Sequence, residues 1–192
     1  RTCAWVAACI AGARLGVPVL ALSGDLGSPD EVQRNREALE EHRPRVVLLD
    51  PALRGRAAAE PLLAAASGAG GPVLVDSAAL LERSVDEAPS TELPQRPGRS
   101  PDDVLFLVYT GGTTSASKSV AVTHRMALHE LAVYPTFSPL TCTDRVLHQA
   151  SAFWGATSLG IFDIAWCCGA CLVLAEEGAG PAEVARVVQR HG

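Results

Sequence analysis

The sequence predicts an α/β fold, with mostly parallel sheets flanked by helices and arranged as two α/β halves. Three observations predict it. Continuous apolar runs recur at 17–22, 45–50, 72–76, 104–109 and 171–175; strands buried on both faces read as such runs rather than as alternation. Helix-length stretches separate the runs, the pattern of parallel strands joined by crossovers. Glycines and prolines mark the joints, as at Gly16, Pro18, Gly71 and Pro72.

Each element follows from local signals. Residues 4–15 form an apolar helix that ends near Gly16, and 17–22 a strand. After a loop at 23–29, residues 30–42 form a polar helix with Asp30 at its start, where an acid suits the helix dipole. Residues 45–50 are the second strand. An Ala/Leu helix at 57–67 is closed by Gly68, Gly70 and Gly71, and 72–76 is the third strand, followed by a short helix at 78–83. Pro89, Pro94, Pro97 and Pro101 make 86–102 an exposed connector, which separates residues 1–85 from 103–192. Beyond it come a strand at 104–109, a polar loop, a short strand at 119–123 and a helix from His124 to about Tyr134. A strand at 144–149, helical structure late in 153–168, a strand at 171–175 and a helix at 181–190 with Pro181 in its first turn complete the chain.

The totals bound the class. A chain of 192 residues with 48% hydrophobic and 19% charged residues is globular and buries about 70% of its unfolded surface. The net charge of −5 and the lack of a basic block argue against a nucleic-acid or acidic-membrane partner. The acids at 30–41 and 86–103 are those of a solvated helix face and a linker. No apolar run approaches the roughly 18–20 residues of a membrane helix, because Arg14 and Asp163 interrupt the two best runs. Cys3, Cys9, Cys142, Cys167, Cys168 and Cys171 have mostly apolar neighbours, as buried reduced thiols do, so a reducing, cytoplasmic compartment is expected. The chain lacks an initiator Met and opens in what reads as mid-helix, so a fragment of a longer protein is expected.

Chemistry concentrates after the run at 104–109. Gly111 and Gly112 permit backbone conformations closed to other residues. Thr110, Thr113, Thr114, Ser115 and Ser117 supply five hydroxyl donors, and backbone N–H groups of such a loop can form an anion-binding nest. Lys118 ends the run. Of the 16 Lys and Arg residues it is the sole lysine, and a compact ammonium suits a phosphate or carboxylate where a planar guanidinium is too large. The loop is no Walker A motif, since Ser117 and not Gly precedes Lys118, and no Gly-x-Gly-x-x-Gly fingerprint is present.

The stretch resembles the signature loop of the adenylate-forming enzymes, the AMP-dependent synthetases and ligases. These include acyl-CoA synthetases and the adenylation domains of non-ribosomal peptide synthetases. Tyr109, Thr110, Gly112, Thr113, Thr114, Lys118 and Val120 match that loop in order and spacing, and Thr123-His124-Arg125 matches its continuation. Gly111 replaces Ser, Ser115 and Ser119 replace Gly, and Ser117 replaces Pro. Residues 11–19, 45–48 and 144–174 are similar to flanking segments of the same family. The whole chain, 1–192, thus resembles part of an AMP-binding large N-terminal domain.

The resemblance implies a fragment of a ligase that joins a carboxylic acid to ATP, with Mg2+, as an acyl-adenylate. Pyrophosphate leaves, and the acyl group passes to a thiol of CoA or of a carrier protein. It implies that Thr110, Gly111, Gly112, Thr113, Thr114 and Ser115 cradle the β- and γ-phosphates. Lys118, the candidate catalytic residue, would brace either the loop or the phosphates. Amino-acid-activating members carry Phe-Asp in the later segment, whose Asp holds the substrate ammonium. Here Phe153-Trp154 is followed by Gly155 and Ala156 with no acid, which favours an acyl or aryl acid. Phe153 and Trp154 would line its pocket or pack in the core. The family's later motifs and its late catalytic Lys are absent from the sequence, so the isolated chain is expected to be inactive or nearly so. The alternative is a catalytically dead remnant kept as a structural or interaction module, to which the three serine replacements point.

Rival chemistry is weaker. Trp166-Cys167-Cys168-Gly169-Ala170-Cys171 superficially resembles a thioredoxin site, but a helix precedes it and a strand follows, the reverse of what lowers a thiol pKa. Zinc at this CxxC lacks a second ligand pair, and no metal ligands are assigned. His124 either reaches a bound nucleotide or sits part-exposed at a helix start.

Overall fold

The computed structural model describes residues 3–53, 71–82, 98–110, 118–151, 155, 165, 167–176 and 179–191. In chain order its elements are α1 (Cys3–Leu15), β1 (Val19–Leu20), α2 (Pro29–His42), β2 (Val46–Leu49), a 3₁₀ turn (Pro51–Leu53), β3 (Val73–Asp76), α3 (Ser77–Glu82), β4 (Val104–Thr110), β5 (Lys118–Thr123), α4 (His124–Phe137), β6 (Arg145–His148), β7 (Cys171–Leu174) and α5 (Pro181–His191). Helices and mostly parallel sheets therefore build an α/β fold. The helix expected at 57–67 and most of the connector at 86–102 lie outside the described residues, as does most of 153–168, of which Gly155, Cys167 and Cys168 are helical.

Two units divide the chain, residues 22–94 and residues 1–21 together with 95–192. The sequence set the boundary at 86–102 and gave the first helix and strand to the N-terminal half. They join the C-terminal unit instead, because β1 pairs in parallel with β4 across Val19↔Phe106 and Leu20↔Leu107.

In the 22–94 unit, β2 and β3 pair in parallel from Val46↔Val73 to Leu49↔Asp76. Helix α2 starts one residue earlier than expected, with Pro29 in its first turn and Asp30 and Glu31 beside the positive end of the dipole. It stops at Arg43, which adopts φ 42° and donates its N–H to Leu39 O at 3.0 Å; Pro44 follows. Leu26 is buried against Val32, Leu39 and Leu53. Asn35, inside a helix that reads as polar, is 1% exposed. Val46, Leu48 and Val73 are exposed, so β2–β3 departs from the expectation of strands covered on both faces.

In the larger unit the sheet order is β1-β4-β5, and a second parallel pair joins β6 to β7. Leu105, Phe106, Val108 and Tyr109 of β4 are all buried, which requires cover on both faces. Cys9 of α1, Val122 of β5 and Ala127 of α4 complete this core, with Trp5, Ala13 and Val19 packed against it. Gly12 lets α1 approach β1 closely, since a Cβ there would lie 2.5 Å from Val19 Cγ2 and 2.9 Å from the Val17 carbonyl oxygen. Gly16 at φ 65° ends α1, and Val17 N–H donates back to Gly12 O at 2.9 Å, closing a Schellman motif. Arg99 donates to the Ala13 and Arg14 carbonyls and so occupies the negative end of α1. Arg145 does the same for α5, donating from Nη1 to His191 O at 2.6 Å. No helix among the described residues is long and apolar enough to cross a membrane.

Candidate functional site

The candidate site is built on the β4–β5 pair. The two strands are antiparallel, the exception to the parallel rule, and stay in register from Phe106↔Val122 through Val108↔Val120 to Thr110↔Lys118. Residues 111–117 join the ends of that last rung. Side chains directly opposite in a sheet share a face, and the face repeats every second residue. Thr110 and Lys118 therefore stand beside each other, above the Val108/Val120 and Phe106/Val122 pairs. Below them Phe106, Val108 and Val122 are buried while Val120 is exposed; at the rung itself both residues are exposed. Thr110 Oγ1 donates to Lys118 O at 3.5 Å, a long and weak bond.

This places one hydroxyl and one ammonium side by side at the mouth of a loop rich in donors. It also corrects the expectation that the strand begins at Ser119: Lys118 is its first residue, fixed by pairing with Thr110. Gly111, Gly112, Thr113, Thr114 and Ser115 lie outside the described residues, as do Phe153 and Trp154. Gly155, next to Phe153-Trp154 in the chain, is described. A Cβ on it would lie 3.1 Å from Val108 Cγ2. The structure thus brings Gly155 onto Val108, two residues before Thr110 on the same strand face.

His124 heads α4, half-buried, with its N–H donated to Asp103 O at 3.1 Å. Strand β5 carries it to the end opposite Lys118, about 20 Å of extended chain away. His124 is the first residue of the helix, the position expected of it as a helix start.

That opposite end holds the charge pair that the sequence did not reveal. Arg125 Nε and Nη2 donate to Asp102 Oδ1 and Oδ2 at 2.7 and 3.0 Å, and Arg125 N–H donates to Pro101 O. The Arg125 hydrogen bond, joined by the Arg125 charge and a Ser100 hydrogen bond, outweighs desolvation and holds the Asp102 carboxyl below its ordinary range. Asp144 is lowered likewise, by the N–H and hydroxyl of Thr141 at 2.6 and 2.8 Å. Thr123 caps α4, its Oγ1 accepting Met126 N–H at 3.3 Å.

The thiols divide in three, with Cys167 and Cys168 half-buried. Cys9 is buried and desolvation pushes its thiol up to about 12. Cys3, Cys142 and Cys171 are exposed, contrary to the expectation of buried thiols, because they sit at a helix start, in a turn and at the first position of β7. Among the described residues, no group of three or more His, Cys, Asp or Glu side chains is placed to hold a metal ion.

Known proteins resemble the chain along its whole length. A model of the family described as AMP-binding enzyme matches residues 1–192. Apicidin F synthase of Gibberella fujikuroi is 33% identical over 104 residues, which is 53% of this chain and 2% of that protein. Long-chain fatty acid transport protein 1 of Rattus norvegicus is 48% identical over 65 residues, 33% of this chain and 10% of that protein. The matches thus span a small part of these relatives. Among solved structures, ATP-bound MatB from Rhodopseudomonas palustris superposes with a TM-score of 0.74 at 18% identity, over 99% of this chain and 36% of that one.

Proposed function

Because the chain belongs to the AMP-binding enzyme family, we propose that it carries the phosphate-binding part of a ligase that activates a carboxylic acid with ATP. The carboxylate attacks the α-phosphorus, the acyl-adenylate forms and pyrophosphate leaves. The acyl group then passes to a thiol, of CoA or of a carrier protein. One observation carries this reading: the Thr110/Lys118 rung sets a hydroxyl and the chain's only ammonium at the two ends of a loop bearing four more hydroxyls.

The residues fit a triphosphate. Charge on the β- and γ-oxygens grows as pyrophosphate leaves, and fixed donors with a point cation meet it at low reorganisation cost. Thr110, Gly111, Gly112, Thr113, Thr114 and Ser115 would donate to those oxygens, and Lys118, exposed at the strand end, would supply the charge. Mg2+ would arrive with the nucleotide. ATP in the MatB structure supports this ligand.

For the acid, the absence of a carboxylate near Phe153-Trp154 supports an acyl or aryl acid over an α-amino acid. Phe153 and Trp154 would supply the apolar wall.

A remnant without catalysis is the second reading, which rests on the serines at 115, 117 and 119. One of these loses its weight in the structure. Ser119 lies in extended β5 opposite Tyr109, where a Cβ is accommodated without positive φ. ATP and pyrophosphate titrations with calorimetric detection separate the two readings. The ligase reading expects binding that weakens about 10- to 100-fold in Lys118→Ala, the worth of a charge-assisted hydrogen bond. No binding, or binding untouched by Lys118→Ala, supports the remnant.

A further inference from the structure

Four of the six cysteines gather where a helix hands over to β7. Cys167 and Cys168 are its last helical residues, and Gly169 turns the chain at φ 71°. A Cβ on Gly169 would lie 3.5 Å from Cys142 Cβ, and Cys171 N–H donates to Asp144 O at 2.9 Å. Within this group two thiols touch: the Sγ atoms of Cys167 and Cys168 are 3.4 Å apart, and both residues are half-buried. Neighbouring side chains on a helix ordinarily diverge by about 100°. Here they converge.

We infer that Cys167 and Cys168 form a dithiol site that chelates one soft, three-coordinate acceptor of the trivalent arsenical class. A disulfide fits the pair poorly. It needs the sulfurs at about 2.05 Å and Cα atoms about 4.4–6.8 Å apart, whereas adjacent Cα atoms lie about 3.8 Å apart. A single thiophilic atom bound to each sulfur at a length like the roughly 2.3 Å of a metal–thiolate bond spans 3.4 Å without moving either. Four-coordinate zinc is disfavoured, since no set of three or more such ligands is placed for a metal among the described residues. An acceptor that brings its own third substituent needs only two sulfurs. With an organoarsenic(III) oxide, both S–H bonds and the arsenic–oxygen bond break and two As–S bonds form. The oxygen leaves as water with the two thiol protons, and nothing is oxidised or reduced.

The test titrates the reduced 192-residue chain with phenylarsine oxide. The expected result is one equivalent bound, released by an added dithiol but not by a monothiol, and located by peptide mapping on the segment that holds both cysteines. Cys167→Ser and Cys168→Ser should each abolish the adduct, while Cys142→Ser and Cys171→Ser keep it. The mapping on unaltered protein stands even where a variant misfolds. An adduct mapped to another pair, retained in Cys167→Ser or Cys168→Ser, or absent altogether overturns the assignment. None of these outcomes depends on nucleotide binding.

Discussion

Asn35 serves Ser23 as a substitute strand. Its side-chain oxygen accepts Ser23 N–H and its side-chain nitrogen donates to Ser23 O, both at 2.9 Å, and the amide is buried. One planar side chain thus satisfies both backbone groups of a residue that has left regular structure. Asn35→Ala orphans both, so the 22–94 unit should lose about 2–3 kcal/mol in urea unfolding. Asn35→Asp should lose more, because it removes the donor and buries a charge. A loss under about 0.5 kcal/mol for both variants would mean that water replaces the amide freely.

Thr110→Val tests the hydroxyl at the rung without disturbing the strand. Valine is β-branched and suits β4, and the 3.5 Å bond it deletes is weak. Unfolding should be unchanged within about 0.5 kcal/mol, while ATP affinity drops about 2- to 10-fold. Lys118→Arg should recover part of what Lys118→Ala loses, since the charge remains but the compact geometry does not.

Gly12→Ala sets two effects against each other. Helix propensity alone would stabilise α1 by roughly 0.5–1 kcal/mol. The added methyl, however, meets Val19 Cγ2 at 2.5 Å and a backbone oxygen at 2.9 Å, and overpacking costs about 1–3 kcal/mol. The net is a lower melting temperature, and a rise would show that α1 slides on β1.

The Asp102 carboxyl, lowered by Arg125, gives an acid-side signature. A carboxylate with a depressed folded pKa stabilises above its unfolded value and loses that contribution as pH falls through the folded value. The window therefore lies below about pH 4. In carboxyl NMR titration Asp102 should titrate below the ordinary range, and Arg125→Ala should return it there. Both groups are exposed, so high salt should shrink the difference.

Cys9 works at the other end of the scale. Its thiol stays neutral up to about 12, whereas the unfolded thiol ionises near 9. The unfolded state then sheds the proton first, so stability falls as pH rises through that interval. In alkylation with iodoacetamide at pH 8, Cys3, Cys142 and Cys171 should react while Cys9 stays protected. Cys9 labelling as fast as Cys3 would contradict its burial.

Much of the fold was legible because its signals are local. Gly16 announced the end of α1, Pro181 the start of α5, and the apolar run at 104–109 the doubly covered β4. The loop stands out in the sequence because Lys118, at its end, is the lone lysine. What stayed hidden depends on contacts distant in the chain. Nothing in residues 29–42 distinguishes Asn35 from a solvated polar residue, and Arg99 lies in a Pro-rich stretch that reads as linker. The membership of α1 and β1 stayed hidden for the same reason: β1 is two residues long, and only its pairing with β4 reveals its allegiance. The convergence of Cys167 and Cys168 arises in the last helical residues before a left-handed glycine, which spacing does not encode.

The pairing of residue 110 with residue 118 also has an entropic meaning. Drawing together the ends of a loop carries a cost that grows with the logarithm of its length. In this hairpin that cost falls on folding, since the ladder from Phe106 to Thr110 holds both feet in place. An anion captured between them meets two ends already fixed. Lengthening the insert with a few glycines should therefore blunt affinity gently, whereas cutting the ladder, as with a proline at Val120, should abolish it.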